Sequence, residues 1–332
     1  MYVWLAVCLA LVIFLAVNTC AAGAAALLWR AGSSRADRFA SRTRAETLLA
    51  VRLMPIVLAL TIVALFFVPS YIAYEPSATV ETVSTKMAIF AMISTIAVMF
   101  AILRRARDWY ATRSLRRKWL AQAKEIELCG FNVRTFCIDH PFPIIALVGI
   151  VRPRLFIAER VLLSLTPEQL AAAIGHEYGH LKAHDNLKRA LLRMGRDGLV
   201  IPFGRSLDRL WDEAAEAAAD EYAANANPDL ALSLASALVR IARMIPAGRR
   251  ADMPIASFLA GHDSSAIKSR IRRLLEIASA HRPPSENRFH LNAFATLLPL
   301  TCILVAAILL TSNTQLLFRV HLLVERVVSI LS

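Results

Sequence analysis

The sequence predicts an α+β protein in which a bundle of four membrane-spanning helices carries one soluble domain, inserted between the third and fourth helices. The chain has 332 residues, of which 57% are hydrophobic and 19% charged, so it is more apolar than ordinary soluble domains. Four runs of at least 17 residues lack a charged side chain. The roughly 185 residues between the third and fourth runs are enough for one compact domain with its own core.

The charge balance also restricts the class of protein. Lys and Arg number 38 against 25 Asp and Glu, a net charge of +13, which excludes an acidic disordered chain. The basic side chains cluster beside the apolar runs, as in loops at a membrane surface. We therefore interpret the basic run around Trp109, Tyr110 and Trp119 as a lipid contact and expect no direct nucleic-acid partner. The five cysteines are scattered, which favours free thiols in a reducing compartment over a disulfide framework.

The apolar runs divide residues 1–103 into three spans and place a fourth later in the chain. The first run is too long for a signal peptide and lacks a basic start, so we expect a retained anchor, with cleavage near Ala21–Ala24 as the alternative. Pro55 and Pro69 lie near the ends of the second run, where a missing N–H is tolerated. The spans are predicted at about 3–28, 54–74, 87–103 and 291–311.

The loop charges predict the orientation of the spans. The connection before the second span and the stretch after the third are rich in arginine, whereas 75–86 is short and slightly acidic. Because Lys and Arg in short loops stay in the cytoplasm, the N-terminus is predicted outside and residues 104–290 in the cytoplasm. The setting is then the bacterial cytoplasmic (inner) membrane. The tail, 312–332, is predicted outside, with 315–331 as an amphipathic helix on the outer leaflet.

Secondary-structure signals divide the soluble domain into a sheet region and a helical region. Segments 132–138 and 144–157 are rich in Val, Ile and Phe and interrupted by prolines, which predicts short strands and hairpins in a small sheet. Thr166 is a helix N-cap candidate followed by Pro167 at the first helical position. The helix that follows carries the chemistry.

That helix contains His176-Glu177-Tyr178-Gly179-His180. Histidines four residues apart lie one turn above each other, so both imidazoles can bind one ion. Zn²⁺ accepts neutral nitrogen ligands and a water, and the neighbouring Glu177 could take the proton of that water. The spacing therefore predicts a zinc site with His176 and His180 as ligands and Glu177 as the base.

A third ligand is predicted on a later alanine-rich helix. Glu216 and Asp220 share one face of that helix, and small neighbours would let it approach the histidines. Glu216 would complete a His₂Glu ligand set, and Asp220 would hydrogen-bond to a ligand imidazole and fix its tautomer. The alternatives are an exposed acidic helix and Glu213 as the ligand.

Two residues follow the second histidine closely. His184 would lie too far along a straight helix to share the ion, so we predict a surface residue. Asp185 is predicted to support the site at the end of the helix, with Arg189 as a candidate partner.

Several motifs together resemble one family, the BlaR1/MecR1-type membrane metallopeptidases (peptidase family M56), over roughly residues 1–312. They are the runs 141–143 and 149–157, 165–170, His176-Glu177-x-x-His180 with Asp185, and Glu216-x-Ala218-Ala219-Asp220. The resemblance implies an outside N-terminus, four spans and a cytoplasmic gluzincin-like domain. It also implies Zn²⁺ held by His176, His180 and Glu216, with Glu177 as catalytic base. Only about 20 residues follow the fourth span, so we expect no penicillin-binding sensor domain.

The sequence thus predicts an integral-membrane zinc endopeptidase that transduces a signal by cleaving a cytoplasmic transcriptional repressor, for example a winged-helix protein, or by cleaving itself. The substrate is expected to bind in extended form along an edge strand within 144–157. The main alternative is an M48-like quality-control or processing protease. A non-catalytic membrane scaffold is disfavoured, because a structural metal site has no use for Glu177. Homo-oligomerisation is left open.

Overall fold

The protein was analysed as a computed structural model that describes residues 2–36, 39–75, 84–128, 131, 133–197, 205–224, 227–245, 264–279, 301, 305, 308 and 313–331. The predicted fourth span, 291–311, lies outside the described residues apart from three isolated helical positions. The predicted exported loop, 75–86, lies mostly outside them as well. Of the cysteines in the described part, Cys8, Cys20 and Cys137 are free thiols.

Long helices form the N-terminal third of the chain. Helix α1 spans Tyr2–Ala36; α2 spans Ser41–Thr61 and continues through a π-helical segment, Ile62–Phe67, into α3, Val68–Tyr74; α4 spans Thr85–Gln122. Within the described residues, three helical stretches, one of them the continuous 41–74, are long and apolar enough to cross a membrane. These helices extend past the predicted spans, because the arginine-rich segments next to the apolar runs are themselves good helix formers.

The two prolines of the second span lie inside the helical stretch. Pro55 is within α2, and Pro69 is in the first turn of α3, directly after the π-helical segment. A proline ring clashes with the carbonyl group four residues earlier. The wider π-helical turn before Pro69 relieves that clash and lets the helix continue.

A small mixed sheet follows α4, as predicted. In the described part it contains β1 (Lys124–Ile126), β2 (Thr135–Ile138), β3 (Ile145–Val148) and β4 (Arg154–Ala158), in the order β1-β2-β4-β3. Strands β2 and β4 are parallel, and the other pairs are antiparallel. Strand β3 therefore lies at one edge of the sheet. The sequence did not predict β1.

The remaining described elements are helices. They are α5 (Glu159–Ser164), α6 (Pro167–Ala183), α7 (Asp185–Asp197), α8 (Arg205–Ala224), α9 (Pro228–Met244), α10 (Ser264–Ser279) and α11 (Thr314–Leu331). The predicted start of α6 is confirmed by a capping box. The hydroxyl group of Thr166 accepts from the Gln169 N–H at 3.3 Å, and the Gln169 side chain accepts from the Thr166 N–H at 3.1 Å.

Helix α8 belongs to two apolar cores. Its C-terminal end, with Ala223 and Ala224, packs with the sheet, α6, α9 and α10. Its N-terminal half, with Trp211, packs with α1, α2 and α7 around Leu48 of α2. The second long apolar stretch is therefore in direct contact with one of the helices that pack on the sheet.

The C-terminal tail forms the predicted helix. Helix α11 contacts the end of the second long helical stretch, where Ser70 Oγ donates to the Leu317 carbonyl at 2.9 Å and the Tyr74 hydroxyl donates to the Thr314 carbonyl at 3.0 Å. The rings of Tyr74 and Phe318 meet edge to face at 5.4 Å. The location of this helix on an outer leaflet stays a prediction.

Candidate metal centre

The site is formed where α6 and α8 approach closely. A Cβ atom added to Gly179 of α6 would lie 3.2 Å from the Cα of Ala219 on α8, and one added to Gly175 would lie 3.6 Å from the Cα of Ala223. A side chain at Gly179 would crowd the backbone of α8, whereas a Cβ atom at Gly175 would just reach van der Waals contact. The small residues on both helices thus bring Glu216, less than one turn before Ala219, next to the histidines of α6.

The structure brings together the three predicted metal ligands. His176 Nε2 is 3.2 Å from His180 Nε2, and Glu216 Oε2 and Oε1 are each 3.4 Å from Nε2 of His176 and His180, respectively. Zinc bonds of about 2.0–2.2 Å in a tetrahedron separate the ligand atoms by about 3.3–3.5 Å. The observed separations fit a zinc ion. Glu213, the alternative third ligand, is exposed to solvent.

Two buried carboxylates orient the imidazole rings. His176 Nδ1 lies 2.9 Å from Asp220 Oδ1, and His180 Nδ1 lies 2.7 Å from Asp185 Oδ2. Each Nδ1–H can donate to its carboxylate, which leaves the lone pair of each Nε2 for the metal. Asp220 and Asp185 therefore occupy the supporting positions that the sequence analysis assigned to them.

Among the described residues, no direct bond joins Asp185 to Arg189, its candidate partner, and the attraction between them acts only over a longer distance. Arg189 Nε instead donates to Asp212 Oδ1 at 3.1 Å. On a straight helix, residues 180 and 185 would point about 140° apart. His184 ends α6 in the left-handed conformation, with a φ of 56°, and this turn directs Asp185 back towards His180. His184 itself is exposed, as predicted.

Glu177 lies beside the ligands in a fully buried position. Its Oε2 accepts from the Leu147 N–H at 3.2 Å, and its Oε1 has no hydrogen-bond partner among the described residues. Burial raises the pKa of Glu177 to about 7, although His180 and His176 act in the opposite direction. A carboxylate with a pKa near neutrality and one free oxygen is suited to general base catalysis.

Edge strand β3 is fastened to the same site. Leu147 uses its N–H for Glu177, and its carbonyl accepts from Asn186 Nδ2 at 2.9 Å. The Asn186 amide also donates to the Gly149 carbonyl at 2.9 Å. Asn186, which sequence analysis missed, therefore ties the β3–β4 hairpin to α7.

A buried arginine, also missed by sequence analysis, completes the site. Arg270 of α10 donates to both oxygens of Asp220, from Nε at 2.9 Å and from Nη2 at 2.6 Å, and its Nη1 lies 3.0 Å from Glu216 Oε2. Burial is the largest effect on these two carboxyl groups and favours their neutral forms, but Arg270 and the neighbouring histidines together outweigh it and lower both pKa values, that of Glu216 strongly. Both carboxylates are therefore ionised at neutral pH.

The electrostatics of the site favour a bound cation. Burial lowers the pKa of His180, but the charges of Glu216 and Asp185 outweigh this effect and bring the pKa to about 10. A site that holds a proton so tightly offers the same negative potential to a metal ion.

A second group, Glu75, His321 and Glu325, has candidate ligand atoms within 4.8 Å of one another but is only half-buried, and its His321–Glu325 separation is 4.0 Å.

Comparison with known proteins agrees with this geometry. The family model described as Peptidase family M48 matches residues 111–201, which include the sheet, α6, both histidines and Glu177. The match covers a little over a quarter of the chain and ends before Glu216. It indicates a metallopeptidase related to membrane-type families, and it gives no support to the more specific M56 assignment. A search of curated proteins found no match.

Proposed function

We propose that this protein is an integral-membrane zinc endopeptidase of the processing or quality-control type, with its active site on the cytoplasmic side of a bacterial inner membrane. The observation that carries the proposal is the set of three ligand residues beside a buried carboxylate: the two histidine Nε2 atoms are 3.2 Å apart, and each lies 3.4 Å from one oxygen of Glu216. The M48 match and the long apolar helices support it.

Each residue of the site has a separate role in the proposed hydrolysis of a peptide bond. A zinc ion held by His176, His180 and Glu216 would polarise the attacking water and the scissile carbonyl group. Glu177 takes a proton from the water while the water oxygen bonds to the carbonyl carbon. The same carboxyl group then gives the proton to the amide nitrogen as the C–N bond breaks.

The position of Glu177 also bears on how a substrate binds. Extended peptides commonly add a strand to a sheet edge, and β3 is the edge strand nearest the site. A substrate strand that pairs with Leu147 must replace the bonds from Leu147 to Glu177 and Asn186. We expect substrate binding to release Glu177 Oε2 from the backbone at the moment when the base is needed.

The assignment of roles is tested by matched variants. We expect His176→Ala, His180→Ala and Glu216→Ala each to lose most of the zinc measured in the purified chain, because two ligands make a poor site. Glu177→Gln should retain zinc but lower proteolysis by at least about 100-fold. Glu213→Gln, on the exposed face of α8, is the control and should retain both. Equal zinc loss in Glu177→Gln and the ligand variants would contradict these roles.

Signal transduction by cleavage of a repressor is the second candidate, favoured by the M56-like spacing of His176, Asp185 and Glu216. Fragments in cells carrying the wild type or Glu177→Gln should be compared. Accumulation of damaged membrane proteins in the variant supports quality control. Loss of one defined cleavage, in a cytoplasmic repressor or in the chain itself, supports signalling. If the protein is a non-catalytic scaffold, cells with Glu177→Gln should not differ from cells with the wild type.

A further inference from the structure

Arg270 is a buried cation behind the candidate ligands. Only 6% of the residue is exposed. It reaches the site from α10, 50 positions after Asp220 in the sequence, and α10 packs on α8 and α9. Docking of α10 therefore adds a charged group to a site whose other members lie on α6, α7 and α8.

The contacts show which groups hold the guanidinium. Its Nη2 lies 3.3 Å from His176 Nδ1 and 3.4 Å from His176 Nε2. Because His176 Nδ1 donates its own proton to Asp220, it cannot also accept one from Arg270. The arginine is thus packed against the ring, its hydrogen bonds go to the carboxylate of Asp220, and its Nη1 forms an ion pair with Glu216.

The planar fork of an arginine suits these two partners. The Nε and Nη2 groups bind the two oxygens of Asp220, and Nη1 remains for Glu216. A lysine offers a single point charge and cannot hold both carboxylates in a fixed geometry. Asp220 in turn fixes the tautomer and orientation of His176.

We propose that Arg270 is a positioning residue of the metal centre, which fixes Asp220 against His176 and restrains the carboxylate of Glu216 for metal binding. The proposal rests on the proposed zinc-peptidase function. It predicts that Arg270 determines the affinity and geometry of the metal site, although it is not itself a ligand.

The test uses the full-length chain in detergent and measures zinc affinity by competition with a chelator. Arg270→Ala should bind zinc about 10- to 100-fold more weakly, the usual effect of losing a group behind the ligands. Arg270→Lys should lie between that variant and the wild type. Arg272→Ala, on the same helix but exposed, is the control and should bind zinc as the wild type does.

A second readout separates positioning from general stability. The visible spectrum of bound Co²⁺ reports ligand geometry, and we expect it to change in Arg270→Lys but not in Arg272→Ala. In an Asp220→Asn background, Arg270→Ala should weaken zinc binding less than it does in the wild type, because the two residues act as a unit.

The possible outcomes are distinct. If Arg270→Ala does not fold, Arg270→Lys decides. Wild-type zinc affinity together with an unchanged Co²⁺ spectrum in the variants that fold would overturn the proposal for Arg270. If the wild type binds zinc and Glu177→Gln still cleaves the same substrates, the proposed peptidase function fails while the effect of Arg270 on metal affinity stands. A wild-type chain without zinc affinity overturns both.

Discussion

At the scale of single residues, Glu177 sits in a position that costs stability. The carboxyl group is fully buried, and its pKa is raised to about 7 because burial disfavours the charged form. Between pH 4.5 and pH 7 the folded state therefore holds a proton that the unfolded state has released. The free energy of unfolding of the metal-free protein falls as the pH rises through this window and stays lower above it.

This sign gives a prediction for the metal-free protein. The Glu177→Gln side chain carries no charge, so it avoids the penalty while an amide oxygen can still accept from Leu147. We expect the variant to be more stable than the chelator-treated wild type by about 3 kcal/mol at pH 8, with the difference vanishing near pH 4. Thermal unfolding at both pH values measures it, and Glu213→Gln should show no such dependence. A difference of the same size at both pH values would contradict a raised pKa.

Residue spacing predicted which residues meet at the candidate site, but not all of their contacts. His176, His180 and Glu177 follow from one helical turn, and Glu216 with Asp220 from the next acidic face. Asp185 reaches His180 only because His184 adopts the left-handed conformation. A histidine at this position does not predict that conformation. Arg270 is brought in by tertiary packing. The one signal for Arg270 in the sequence is its position four residues before Leu274, which places this charged residue on the buried face of the same helix.

At the scale of elements, α8 links the candidate site to the long apolar helices. Arg52 of α2 donates to Asp208 of α8 at 2.9 Å, and both residues are nearly buried, at 4% and 9% exposure. Nearby, Leu48 and Trp211 pack together in the same core. The position of the helix that carries Glu216 is therefore determined partly by the long apolar helix α2.

Breaking the Arg52–Asp208 pair should destabilise this contact strongly. Arg52→Ala leaves a buried carboxylate without its arginine, which typically costs about 3–5 kcal/mol. Thermal unfolding of the purified chain measures the loss. The double variant Arg52→Met with Asp208→Leu should recover most of it, because apolar replacement of a buried pair is often neutral or stabilising. Arg30→Ala, an exposed arginine of α1, should change stability little.

The elements were predicted well where the signal is local and poorly where it is not. The capping box at Thr166 marks the start of α6 within one residue. The helices are longer than the predicted spans because apolarity reports burial in lipid, whereas the helices continue through charged residues to Ala36 and Gln122; the span limits themselves stay a prediction. Strand β1 was missed because Lys124–Ile126 is polar and short, and only its pairing with β2 makes it a strand.

At the scale of the whole molecule, one contact relates the candidate site to the orientation of the chain. Arg42, at the start of α2, lies 3.7 Å from Asp185 Oδ1, and Asp185 holds His180. In the proposed membrane topology, the arginine-rich connection and the candidate metal centre therefore lie on the same side of the membrane. From the sequence, the first three predicted spans and the predicted soluble domain are separate units, whereas this contact and the α2–α8 core join them.

Reporter fusions test this orientation. Because Lys and Arg in short loops stay in the cytoplasm, fusions after Arg44 and Arg250 should show cytoplasmic reporter activity, and fusions after Ala78 and Ser332 should show exported activity. The fusions should be made in the Glu177→Gln background, so that self-cleavage cannot release the reporter. Fusions after Arg44 and Arg250 must agree, because Arg42 contacts Asp185 of the site itself. An exported signal at both would place the metal centre outside the cytoplasm and remove every cytoplasmic protein from its substrates. Opposite signals at these two positions would instead contradict the packing of α2 against the site.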